Sequence, residues 1–169
     1  GGELLKFVKK NKVKVFRIPV HSKNPFLILI NTFIISFLII FKKINIVHAR
    51  SRAPAWSCYL SCLLTGRKFV TTFHGTYSIS GRFKKIYNSV MLKSKLTIAG
   101  SNFIFNHISE NYKDYINPKN KLMVIFRGIN VDYYNPKNIS EFKKNKLISE
   151  WKLKEENFNI LLPGRLTSW

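Results

Sequence analysis

Apolar positions recur along this chain in two rhythms. Val13–Val20 (VKVFRIPV) alternates apolar and polar residues. Ile44–His48 (INIVH), Phe69–Phe73, Leu96–Ala99, Leu122–Phe126 and Phe158–Leu162 are short apolar runs, and all six are expected to be strands. Helical patterns lie between them. Residues 53–67 (APAWSCYLSCLLTGR) have Pro54 near the first turn and Gly66 just past the last, the usual punctuation of a helix. Residues 81–93 and 102–112 follow the same logic, with Ser101 placed to cap the second. Strand and helix in alternation predict an α/β fold, a doubly wound Rossmann-like parallel sheet.

The run FLILINTFIISFLIIF, residues 26–41, is sixteen residues long, short of the about 20 that span a bilayer. As a helix it places Asn24, Asn31, Thr32, Ser36, Lys42 and Lys43 on one side and a wide apolar face on the other. One reading is a crossover helix with its apolar face buried on the sheet. The other is a helix resting on a membrane surface. Residues 134–157 are polar, charged and mostly helical in pattern. They read as a linker from a first domain, residues 1–133, into a second that begins at residues 158–169.

The net charge of +21, from 29 Lys and Arg against 8 Asp and Glu, favours polyanions such as anionic lipid, nucleic acid or phosphorylated substrates. The basic residues are spread through the chain, with no zinc finger, RNP aromatic pair or GXXG loop, so no specific nucleic-acid binding is expected. Cys58 and Cys62, four apart on one helical face, form neither a disulfide framework nor a zinc pattern, which fits a reducing compartment. The chain opens on Gly without a secretory signal and stops after PGRLTSW, so it is expected to be a piece of a longer protein.

In an open parallel sheet, ligands bind outside the carboxyl ends of the strands. His48 and Arg50-Ser51-Arg52 follow the strand at 44–48, and His74-Gly75-Thr76 follows 69–73. Gly100-Ser101 follows 96–99, Arg127-Gly128 follows 122–126, and Gly164-Arg165 follows 158–162. His74 stands where the core ends and a cleft begins, and Gly75 lets a ligand approach the backbone. A plainer role exists for each. His74 or His48 can bond a neighbouring carbonyl, Arg50 and Arg52 can be solvated, Ser101 can be only a cap, and Gly128 only a turn. Arg50 and Arg52 beside a helix N-terminus also make a good anion site. There is no G-x-S-x-G, H-E-x-x-H or P-loop, and no metal site is expected. The residues alone describe a basic, histidine-containing cleft suited to a phosphorylated or sugar ligand.

Taken in order, IPVHSKNP (18–25), INIVHARSRAPAWSCYL (44–60), GRKFVTTFHGTYS (66–78), YNSVM (87–91), TIAGSNFIFNHI (97–108), VIFRGINVDYYNP (124–136) and ILLPGRLTSW (160–169) resemble the family 4 glycosyltransferases of the GT-B fold. The resemblance implies two Rossmann-like domains facing a cleft. The first takes a glycan or lipid-linked acceptor and the second binds a nucleotide-sugar, with no cofactor or metal and usually with retention. It implies a catalytic role for His74 facing the reacting sugar, and a donor-diphosphate role for Arg165 with Gly164. Arg50, Arg52, Gly75, Thr76, Ser101, Arg127 and Gly128 are implied to line the acceptor side or cleft, with Arg127, Gly128 and Asp132 in the family's NGVD-like turn. It implies further that a first strand, its glycine loop, a helix and a second strand are missing upstream, and that Lys-Gly and an E-x7-E motif are missing downstream. Expressed alone, the chain is therefore expected to be poorly soluble and to transfer no sugar. The expected setting is the cytoplasm, in peripheral contact with the inner membrane face, in cell-envelope or lipopolysaccharide synthesis. Two other readings remain: a nucleotide-sugar epimerase on the same scaffold, and a non-catalytic basic module binding membrane or a polyanion.

Overall fold

The structure is a computed structural model that describes residues 7–8, 10–11, 13–77, 81–154 and 156–164. Backbone contacts divide the chain into two units, Gly1–Arg127 and Gly128–Trp169. In the first, β1 (Ile46–Ala49), β2 (Lys68–Phe73), β3 (Leu96–Ala99) and β4 (Lys121–Val124) form one parallel sheet in chain order. Helices with described bounds in this unit include α1 (Pro25–Phe41), α2 (Arg52–Thr65), α3 (Arg82–Ser89) and α4 (Asn102–Asn111). The α/β parallel sheet expected from the alternating pattern is therefore present.

Local chemistry explains the helix ends. Asn24 caps α1 by accepting from the Phe26 amide, with Pro25 at the first helical position. Gly66 ends α2 in the left-handed region at φ 67°, which costs a residue without Cβ little, and its amide returns to the Cys62 carbonyl. Ser101 caps α4 by accepting from the Ile104 amide.

The core sits between the sheet and its helices. Phe69, Phe73, Val90, Met91, Leu92, Ile104, Ile108 and Tyr112 are its large members. Phe73, on the last position of β2, stacks near Tyr77 and meets the edge of Tyr112. Inside the core, Thr71 donates to the Met91 carbonyl, and Ser94 bridges Thr71 and Thr97 at 2.9 Å on each side. Cys58 and Cys62 are free thiols. Burial pushes Cys62 up to about 11 and Cys58 up to about 12, the latter with help from its neighbour's charge.

Three expectations are corrected. Residues 13–19 form no strand and join no sheet, and residues 158–162 form no strand. An alternating or apolar run becomes a strand only when a neighbour pairs with it. The third concerns α1, whose apolar face is not buried on the sheet. Its polar side, Asn31, Thr32 and Ser36, turns inward with Ile39 onto α2. There Ser61 donates to the Thr32 carbonyl and Ser57 to the Ile28 carbonyl. Small serines let the helices approach closely, and α1 packs on α2 rather than over strands. Phe26, Leu29, Phe33, Phe37 and Ile40 face outward, with Phe33 61% and Phe37 58% exposed. Among the described residues no helix is long and apolar enough to cross a membrane.

The second unit contains a 3-10 turn at Pro136–Asn138 and helix α5 (Glu141–Glu150), capped by Ser140 and carrying exposed Lys144–Glu141 and Lys146–Glu150 pairs.

Candidate functional site

The parallel register sets Ala49 beside Thr71, Phe73 beside Ala99, and Ala99 beside Val124. The residues that follow therefore emerge together at the carboxyl edge of the sheet. His74 leaves β2 at its centre, partly buried. The Arg50 Nε–H, from the exit of β1, points at His74 Nε2 at 2.8 Å. An Arg127 Nη2 hydrogen, from beyond β4, points at His74 Nδ1 at 2.7 Å and at the His74 carbonyl at 3.2 Å. Burial first, then Arg50, Arg127 and His48, hold the His74 ring below the usual histidine pKa.

The other expected residues separate into groups. Arg52, in the first turn of α2, donates from Nη1 to Asn88 Oδ1 at 2.9 Å, and its guanidinium lies 4.5 Å over the Tyr77 ring. Asn88 in turn donates to the Tyr112 hydroxyl, so Arg52 is tied to the core rather than paired with Arg50. His48 takes the plain role, bonded through Nε2 to the Thr72 hydroxyl at 2.8 Å. Burial and Arg50 lower its pKa as well. The space around Gly75 is open and Thr76 is exposed. The Ser101 hydroxyl is engaged as a helix cap. Gly128 and Gly164 belong to the second unit, each in open surroundings, and Arg165 lies outside the described residues. Among the described residues no three His, Cys, Asp or Glu side chains gather where a metal could be held.

A groove beside Arg52 was not expected from the sequence. Lys23, Arg52, Phe83, Lys84, Tyr87 and Asn88 line a cleft of about 490 Å³. An apolar cleft of about 390 Å³, lined by Pro25, Ile28, Leu29, Trp56 and Leu60, shares Lys23 and Tyr87 with it. Tyr87 and Asn88 stand in the YNSVM stretch, but nothing in their spacing assigns them to a cleft. The contact of Arg127 with His74 spans 53 positions and leaves no local sequence signal.

A family model described as Glycosyltransferase Family 4 matches residues 2–133. No curated protein matches the chain. Among solved structures, the chain is similar to a crystal structure of a glycosyltransferase from Rickettsia africae ESF-5. The TM-score is 0.80 and the identity 46%, over 100% of this chain and 44% of that one. The chain thus spans less than half the length of its solved relative. A match through four-fifths of the sequence, a four-stranded parallel sheet and a structural likeness over the whole of this chain agree: the chain belongs to glycosyltransferase family 4.

Proposed function

We propose that this chain supplies the acceptor-side domain of a glycosyltransferase that moves a sugar from a nucleotide-sugar onto a lipid-linked or other cell-envelope glycan. The observation that carries the reading is His74, set at the carboxyl end of β2 between Arg50 and Arg127. Transfer from a nucleotide-sugar releases a diphosphate, and fixed positive groups at the cleft stabilise the charge that develops on it. His74, with a pKa below the usual value, is neutral near pH 7, so its ring offers one hydrogen-bond donor and one acceptor at the cleft. In this reading the reaction retains configuration and uses no bound metal. Arg165 and Gly164 meet the donor diphosphate, while Arg52, Gly75, Thr76, Ser101 and Gly128 border the cleft.

The two clefts that share Lys23 and Tyr87 support a lipid-linked acceptor. The basic end suits a charged headgroup, and the apolar end, between α1 and α2, suits the start of a hydrocarbon chain. The outward apolar face of α1, with Lys23 before it and Lys42 and Lys43 after it, supports work at the inner face of an anionic membrane.

The test is His74→Ala in the intact enzyme. Sugar transfer is expected to fall by at least about 100-fold while vesicle binding is unchanged. Undiminished transfer would remove His74 from the reaction.

A further inference from the structure

We propose that Arg50, His74 and Arg127 together form a binding site for a phosphate group. A neutral imidazole carries a hydrogen on one ring nitrogen and a lone pair on the other. Here a guanidinium N–H is aimed at each nitrogen, at 2.8 Å and 2.7 Å. Only one of them can be accepted, so at the other nitrogen two donors face each other. Guanidinium groups have no acceptor to offer in return. Apart from the His74 carbonyl, which accepts from Arg127 at 3.2 Å, the cluster as it stands lacks an acceptor for the second guanidinium.

No carboxylate among the described residues of this unit supplies one. The acidic residues described in residues 7–127 are Glu110 and Asp114. Glu110 is near the end of α4 and Asp114 is in the 3-10 turn before β4, so both lie toward the amino edge of the sheet. Among the described residues every ion pair involves α5 or the segment after it. Among the described residues of this unit, the carboxyl edge thus has converging cations and no carboxylate.

A tetrahedral oxyanion resolves the conflict. Its oxygens can accept from Arg50, from Arg127 and from the ring N–H of His74, and the planar forks of two arginines suit phosphate geometry. Arg52 is not part of this site, because it is held by Asn88 and Tyr77. The site deepens the glycosyltransferase reading, which supplies two natural sources of phosphate: the diphosphate of the donor and a phosphate on the acceptor.

Isothermal titration calorimetry tests the site directly. The 169-residue chain, held in a mild nonionic detergent at pH 7 and constant ionic strength, is titrated with inorganic phosphate. Saturable one-to-one binding is expected. Arg50→Gln and Arg127→Gln should each weaken it by about 10-fold or more, and Arg50→Lys and Arg127→Lys by less. Arg82→Gln, on α3, should leave it unchanged. Because all these positions are exposed, circular dichroism should show the fold intact in each variant. Methyl phosphate binding more tightly than methyl diphosphate assigns the site to the acceptor, and the reverse order assigns it to the donor. Absence of saturable binding, or binding that survives the double Arg→Gln variant, overturns the proposal. No sugar transfer is measured, so failure of this site and failure of the glycosyltransferase reading are separate results.

Discussion

Thr71 and His74 are three positions apart on one length of chain, and each anchors a polar cluster. Around Thr71 the groups are hydroxyls and a carbonyl, fully buried in the core. Thr71 donates to the Met91 carbonyl and accepts from Ser94, while Ser94 and Thr97 share a further bond. A hydroxyl both donates and accepts, so such a cluster closes on itself and can be sealed from water. Around His74 the groups are guanidiniums, which only donate. Beyond one bond from Arg127 to the His74 carbonyl, the donors of that cluster outnumber its acceptors, and it sits at the open edge of the sheet. The difference separates a polar group kept for the fold from one kept for a ligand.

Breaking the strand between the two clusters should have the largest effect. Phe73 is fully buried against Tyr77 and Tyr112. Phe73→Ala should cost about 3–5 kcal/mol in a denaturant melt and disturb both clusters. Thr71→Val comes next. It removes the donor to Met91 and strands the Ser94 hydroxyl, with an expected cost of about 1–3 kcal/mol. The open cluster should behave differently. Arg127→Gln removes one of two competing donors at an exposed site, so the melt should shift by no more than about 0.5 kcal/mol. A loss comparable to that of Thr71→Val would place Arg127 in the fold rather than at a ligand.

Acid gives a smaller and graded test. His74 and His48 both have pKa values below the ordinary 6.5, chiefly through burial and then through Arg50. Below about pH 6.5 the unfolded chain takes up these protons more readily than the folded one. Stability should therefore be complete above that pH and decline as it falls toward the depressed folded values. Melts between pH 7.5 and 5 check the direction, and added phosphate should reduce the loss by pairing with the charged His74 ring.

α1 extends the same contrast to apolar groups. Its polar side is buried against α2, whose Ser57 and Ser61 donate to the Ile28 and Thr32 carbonyls, while its apolar face has no partner among the described residues. Phe33→Ser with Phe37→Ser should raise the solubility of the isolated chain with little effect on the melt. A chain already soluble and monomeric without them would contradict the exposure of that face.

Much of this architecture was legible in the sequence. Four strands, the Gly66 stop, the Ser101 cap and the placing of His74 at a strand exit follow from apolar runs and punctuation, which are local signals. Residues 13–19 and 158–162 carry strand-like patterns without becoming strands, since pairing depends on neighbours that a pattern does not reveal. The inward turn of the polar side of α1 depended on the serines at positions 57 and 61 of another helix. For the site, the sequence paired Arg50 with Arg52 because they are two positions apart. In space Arg50 and Arg127 converge instead, and Arg52 turns to Asn88. Such choices are made by the sheet register and are invisible to spacing.

The most direct test of the donor-rich cluster is the ¹⁵N NMR spectrum of the His74 ring at pH 7, recorded before and after phosphate is added. Without phosphate the ring should show one protonated and one bare nitrogen. Saturating phosphate should convert it toward imidazolium, while the His107 signals stay unchanged. A His74 ring that is indifferent to phosphate would mean that the cluster holds no anion, and the account of this edge would fail.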